Sequence, residues 1–132
     1  MVEVNKSEVD TMKCAYGKLY LLENTLRSYI IRKMELVYGP NWFHLAPRLV
    51  LKRGAKKDFD KLNLHELERH YLQSYPEAFK FLPPLFLQSL HTIYPLRNKI
   101  AHSHFLSPPE VEKLLTSAEL IIKYIEKKMN SC

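Results

Sequence analysis

Apolar residues first fall into a helical stripe between about Glu8 and Tyr38, at Met12, Ala15, Tyr16, Leu19, Leu22, Leu26, Tyr29, Ile30 and Val37. Steps of three and four place them on one face of a helix. Ser7 or Asp10 is positioned to cap its start, and Gly39-Pro40 stops it. Gly17 inside this stretch costs about 1 kcal/mol relative to alanine. Asn24 is a weak helix former in mid-helix, so a packing or hydrogen-bonding reason is expected for it.

No period holds from Asn41 to Asp60, where Asn41-Trp42-Phe43-His44 is followed by Pro47. This stretch carries Arg48, Lys52, Arg53, Lys56 and Lys57, and its flanking acids are Glu35 and Asp58. It reads as an irregular basic connection, and long connections in compact domains are often functional. A solvated loop is the plainer reading.

Helical signals then resume. Asn63 is placed to cap a short helix from Leu64 to about Gln73, and Ser74-Tyr75-Pro76 breaks it. A further turn is expected from Glu77 to Leu82. After Pro83-Pro84, the residues Leu85, Phe86, Leu87, Leu90 and Ile93 continue as a helix that Pro95 either kinks or restarts. Ser107-Pro108-Pro109-Glu110 is a capping box with proline in the first turn. The last helix follows, striped by Val111, Leu114, Leu115, Ala118, Ile121, Ile122, Ile125 and Met129, with Lys127 and Lys128 at its C-terminal end. The pattern predicts one all-α domain spanning residues 1–132, an up-and-down bundle of four or five helices with one basic insertion.

Composition narrows the class. With 132 residues, 46% of them hydrophobic, and three glycines, the chain suits a packed helical domain and disfavours disorder or a turn-rich β fold. No apolar run approaches the roughly 18 residues of a membrane helix. The polar start Met1-Val2-Glu3-Val4-Asn5-Lys6 is unlike a signal peptide. Two cysteines, Cys14 and Cys132, suggest a reducing, cytoplasmic setting, and a terminal cysteine is not a prenylation box. The net charge of +6 suits a polyanionic partner without proving one.

Among candidate motifs, His65-Glu66-Leu67-Glu68-Arg69-His70 has histidines five apart. A zinc-protease helix needs them four apart on one face, so a polar helix face is the better reading. No CxxC pair, phosphate-cradling glycine loop or Gly-x-Ser-x-Gly elbow occurs, and no metal or cofactor is expected. Arg97-Asn98-Lys99-Ile100-Ala101-His102 stands apart. Asn98 and His102 are four apart and share a helix face, and Arg97 can swing toward it. If Pro95 opens a helix, free N–H groups in its first turn would favour a phosphate. Taken alone, a six-residue run of this kind is more often a capped helix with a surface arginine and a half-buried histidine.

Arg97-Asn98-x-x-x-His102, ahead of a long last helix, resembles the signature of the HEPN superfamily, small helical domains of higher eukaryotes and prokaryotes that bind nucleotides. The long first helix with Leu22-Glu23-Asn24-Thr25-Leu26-Arg27, then Tyr38-Gly39-Pro40-Asn41-Trp42, is similar to a stand-alone subgroup related to abortive-infection proteins. The resemblance implies a helical bundle that dimerises so that two Arg/His motifs share a cleft. It also implies metal-independent cleavage of RNA, in toxins or phage-defence effectors. Some members only bind RNA, nucleotide or a protein partner, and an antitoxin is a further expected partner. One branch carries tyrosine two residues after the histidine, where this chain has His104.

The chemistry implied suits the residues. Attack of a ribose 2′-OH on the adjacent phosphate needs a proton acceptor and a proton donor, roles that an imidazole fills near neutral pH. His102 is expected in that role, Arg97 as a bidentate phosphate clamp, and Asn98 as an orienting group. Arg48, Lys52, Arg53, Lys56, Lys57, Lys99 and His104 are expected to contact RNA. The competing functions are a non-catalytic binding module and a plain helical dimerisation domain.

Overall fold

The computed structural model describes residues 6–55 and 58–130, so Lys56, Lys57 and Cys132 lie outside the described residues. It is all-α, with six α-helices and no strand among the described residues: α1 (Lys6–Tyr38), α2 (Trp42–Ala46), α3 (Leu64–Leu67), α4 (Pro76–Phe79), α5 (Pro84–Ala101) and α6 (Pro108–Asn130). Two compact units divide the chain. One joins Met1–Thr25 to Pro83–Cys132, and the other is Leu26–Leu82, with the continuous α1 contributing to both.

The first unit is built by the start of α1 with α5 and α6. Ala15, Leu19 and Leu22 of α1 are buried, as are Phe86, Leu90, Ile93 and Leu96 of α5 and Leu114, Ala118, Ile121, Ile122 and Ile125 of α6. Both expected atoms of the α6 capping box are in place. The Ser107 N–H donates to Glu110 Oε1 at 2.9 Å and the Glu110 N–H donates to Ser107 Oγ at 3.3 Å. Pro95 neither restarts nor ends α5, because it lies inside one continuous helix. It supplies no N–H to the helical ladder, but it sits on the exposed side, where water can serve instead.

The second unit is held by rings. Trp42 packs edge-on against Phe43, Phe59 and Tyr71 at centroid distances of 5.9, 5.4 and 5.8 Å. Tyr71 stacks on Tyr75 at 5.6 Å, and Tyr75 meets Tyr38 edge-on at 5.7 Å. These anchors explain why the expected loop after Asn41 is largely helical. Burial of Trp42, Ala46 and Pro47 winds the chain into α2 and a π-helical turn, Pro47–Leu51. That turn ends at Lys52, whose φ of 57° is left-handed, and the Lys52 and Arg53 N–H groups both donate to the Pro47 carbonyl. A left-handed lysine costs roughly 1–2 kcal/mol. Asn63 caps α3 through a complete capping box with Glu66. The helix then passes into a second π-helical turn, Glu68–Leu72. Gly39, with φ of 86°, ends α1 and donates to the Glu35 carbonyl at 2.9 Å.

Two members of the expected α1 stripe are corrected. Tyr16 and Val37 are exposed, while Met34, outside the expected set, is fully buried. Tyr16 and Met34 are five helical turns apart and point the same way on an ideal helix, so what lies opposite each turn decides their burial.

The ring cluster sets the stability of the second unit. Phe59→Ala is expected to destabilise it by roughly 3–5 kcal/mol and to flatten the near-ultraviolet circular dichroism of Trp42. Thermal unfolding followed by that signal checks it.

Candidate functional site

The residues of the Arg/His motif lie on the last two turns of α5 and just past its end. α5 stops at Ala101, and its terminal carbonyls are closed by a hairpin of the chain. The His102 N–H donates to Asn98 O at 3.1 Å, Ser103 to Ile100 O at 3.0 Å, and His104 to Lys99 O at 2.7 Å. This is a Schellman closure, which requires a left-handed residue just beyond the cap. Ser103 supplies it with φ of 60°. Glycine is the usual residue there, so serine hides the motif from sequence inspection.

The closure places His104 off the helix. The folded-back chain brings the two exposed imidazoles to a centroid distance of 6.3 Å. Because α5 runs unbroken from Pro84, Arg97 is also far from a helix N-terminus. The motif therefore offers no free N–H groups to a phosphate, and the backbone at this end presents carbonyls. Any anion here must be held by side chains.

Those side chains are partly engaged. Arg97 Nε lies 3.9 Å from Glu23 Oε1 on α1, both in the first unit. Its charged group thus meets a carboxylate that the sequence shows only as one member of the Leu22-Glu23-Asn24-Thr25-Leu26-Arg27 run. The neighbouring Asn24 finds its expected reason in a hydrogen bond from Nδ2 to the Tyr20 carbonyl at 2.9 Å. Asn98 is exposed one turn before His102. Lys99 Nζ reaches Glu110 Oε2 at 2.5 Å, tying the end of α5 to the cap of α6. The hydrogen bond from Lys99, and then that from the Ser107 backbone, hold the Glu110 carboxyl down to about 2.

The basic stretch belongs to the second unit. Arg48 and Lys52 are exposed there, and Arg53 is half-buried against a small cavity. That cavity, with Tyr71 and Tyr75, went unrecognised in the sequence because it forms from two π-helical turns that no periodicity announces. Among the described residues no group of three or more His, Cys, Asp or Glu side chains is arranged to hold a metal ion, and no helix is long and apolar enough to cross a membrane. Cys14 is an exposed free thiol. No protein-family model, no curated protein and no solved structure matches the chain.

The Glu110 contacts predict an acid-sensitive link beside the site. A carboxyl held below its ordinary value of 4.5 contributes stability above that value and loses it as pH falls toward 2. Thermal unfolding of the wild type is expected to weaken across this window. Glu110→Gln should flatten that part of the profile, and identical profiles for the two proteins would contradict the assignment.

Proposed function

We propose that this chain is a metal-independent endoribonuclease of HEPN type, acting as a toxin or phage-defence effector in the cytoplasm. The observation that carries the reading is the pair of exposed imidazoles, His102 and His104, 6.3 Å apart beside Asn98 at the end of α5. In-line displacement at a phosphate needs a base on the attacking side and an acid on the leaving side, and two imidazoles divide those roles. One accepts the 2′-OH proton as the 2′-oxygen bonds to phosphorus. The P–O5′ bond breaks, and the other imidazole, protonated, gives its proton to the leaving oxygen. The products are a 2′,3′-cyclic phosphate and a 5′-hydroxyl. Arg97 offsets charge developing on the phosphate, exchanging its Glu23 contact for phosphate oxygens. Arg48, Lys52, Arg53, Lys56, Lys57 and Lys99 give the RNA backbone non-specific attraction.

A homodimer sharing two motifs is part of this proposal. On α1, Tyr16, Tyr20 and Leu21 are 59%, 63% and 49% exposed, and the space around Gly17 is open. A face of this kind supports close approach by a second copy. A second reading, a non-catalytic module that binds RNA, nucleotide or a protein partner such as an antitoxin, is favoured by one observation. Glu23 already matches the Arg97 charge in the free chain.

General acid–base catalysis is worth about 10²–10⁴-fold. His102→Ala and His104→Ala are each expected to lose about that much RNA cleavage in EDTA, while His44→Ala on α2 cuts normally. Circular dichroism verifies folding. A wild type that cuts nothing hands the site to the binding reading, and equal cutting by His102→Ala removes it from catalysis. Light scattering at tens of micromolar should show a dimer that Leu21→Glu dissociates with loss of cleavage. A fully active monomeric wild type would overturn the shared site.

A further inference from the structure

The second unit holds a cavity, and of the residues given a role above only Arg53 lines it. Its volume is about 90 Å³, and it is partly open to solvent. Its walls include Phe43 and Leu62, and its polar groups come from Arg53, His70, Tyr71 and Tyr75. Tyr71 and Tyr75 are only 7% and 2% exposed, yet neither hydroxyl has a hydrogen-bond partner among the described residues. The rings are buried, whereas neither hydroxyl is sealed from solvent. The two rings stack, and both phenols lie within electrostatic reach of Arg53. The left-handed Lys52 and the bond from the Arg53 N–H to the Pro47 carbonyl fold the chain back so that Arg53 walls the cavity. The result is an aromatic slot in which two unpaired hydroxyls and a guanidinium converge.

We infer that this cavity binds a single-ring pyrimidine base, uracil in the first instance, of a single-stranded RNA or free nucleoside. Four features of the slot select that chemistry. The aromatic walls favour a flat ring over a compact anion, whose desolvation they would not offset. A phenyl side chain would stack equally well but would leave the guanidinium and both hydroxyls unpaired; the carbonyls and N–H on the uracil edge satisfy them. Size favours a single ring. A fully enclosed benzene occupies a cavity of roughly 150 Å³, so a slot of about 90 Å³ takes a ring by its edge and leaves a fused second ring largely outside. The open side, finally, suits a ring tethered at one atom, as a base is to its sugar. Extruded bases held on aromatic side chains and read along their edges are the general mode of single-stranded RNA recognition.

The inference names the base preference of the proposed RNA ligand and rests on that reading only for the source of the base, since binding of free nucleoside needs no cleavage. The test is titration of the full chain with uridine, adenosine and inorganic phosphate, followed by calorimetry and amide chemical shifts. Uridine is expected to saturate, with shifts at Arg53, Tyr71 and Tyr75, and adenosine and phosphate to bind at least tenfold more weakly. Tyr71→Phe and Tyr75→Phe each remove one hydrogen bond and should weaken uridine roughly 2- to 10-fold. Because neither hydroxyl bonds to another described residue, removing it should leave the melting temperatures essentially unchanged, so that lost binding is not lost folding. His102→Ala should bind uridine normally whether or not the wild type cuts RNA. No saturation by uridine, adenosine binding as tightly, displacement of uridine by phosphate, or wild-type affinity in both Tyr→Phe variants would each overturn the assignment.

Discussion

The carbonyls at the end of α5 must be satisfied without further helix, and the way this is done shapes the rest of the candidate site. A helix that stopped with its last turn open to water would leave His102 and His104 on an unconstrained tail. The left-handed Ser103 instead lets the His104 N–H reach back to Lys99 and the Ser103 N–H to Ile100. Three consequences follow from that one closure. The imidazoles of His102 and His104 come within 6.3 Å of each other. The chain is delivered to Leu106, which is fully buried, and to Ser107, which caps α6. Lys99, whose carbonyl accepts the closing bond, is also held by its side chain to the cap residue Glu110. Two histidines two residues apart are therefore displayed from a fixed turn anchored at both ends.

Much of the architecture is legible in the sequence because it rests on local rules. The stop at Gly39-Pro40, the cap at Asn63, the capping box at Ser107, and the stripes of α5 and α6 each follow from the chemistry of a few neighbouring residues. The features that were not legible depend on non-local contacts or on residues out of type. Periodicity reports a direction around the helix and is silent about what faces it, so Tyr16 and Met34 look equivalent and are not. The basic stretch has no period, yet the ring cluster around Trp42 winds it into helix. Serine in a glycine's place conceals the turn that pairs the imidazoles. Of the motif, the spacing of Asn98 and His102 was readable, whereas the Glu23 partner of Arg97, seventy-odd positions earlier in the chain, was not.

The two units place different demands on their polar groups. In the first, ionic side chains knit helices together: Lys18 with Glu119, Lys99 with Glu110, and Arg97 with Glu23. In the second, aromatic stacking carries the packing, and polar atoms are left over where rings converge. Tyr71, Tyr75 and Arg53 are such a remainder. Burial raises the pKa of both phenols, and the guanidinium only partly opposes it. They therefore stay neutral hydroxyls through the physiological range, able to donate or accept.

This division also bears on how the net charge of +6 acts on a polyanion. Around the motif, the carboxylates of Glu23 and Glu110 lie against Arg97 and Lys99. Attraction for a phosphate is reduced there by the energy of breaking each pair, so net charge overstates the local field. Arg48 and Lys52 are exposed and have no ion pair among the described residues. Their contribution to binding a polyanion is therefore the plain release of counterions, which falls with rising salt. A pair such as Arg97 with Glu23 responds differently. Salt screens the attraction of the guanidinium for its carboxylate as well as for a phosphate, so part of the loss at the site is offset. On the proposed reading, salt sensitivity would belong mainly to the second unit, and discrimination at the motif would depend on whether a phosphate outcompetes the carboxylate beside Arg97.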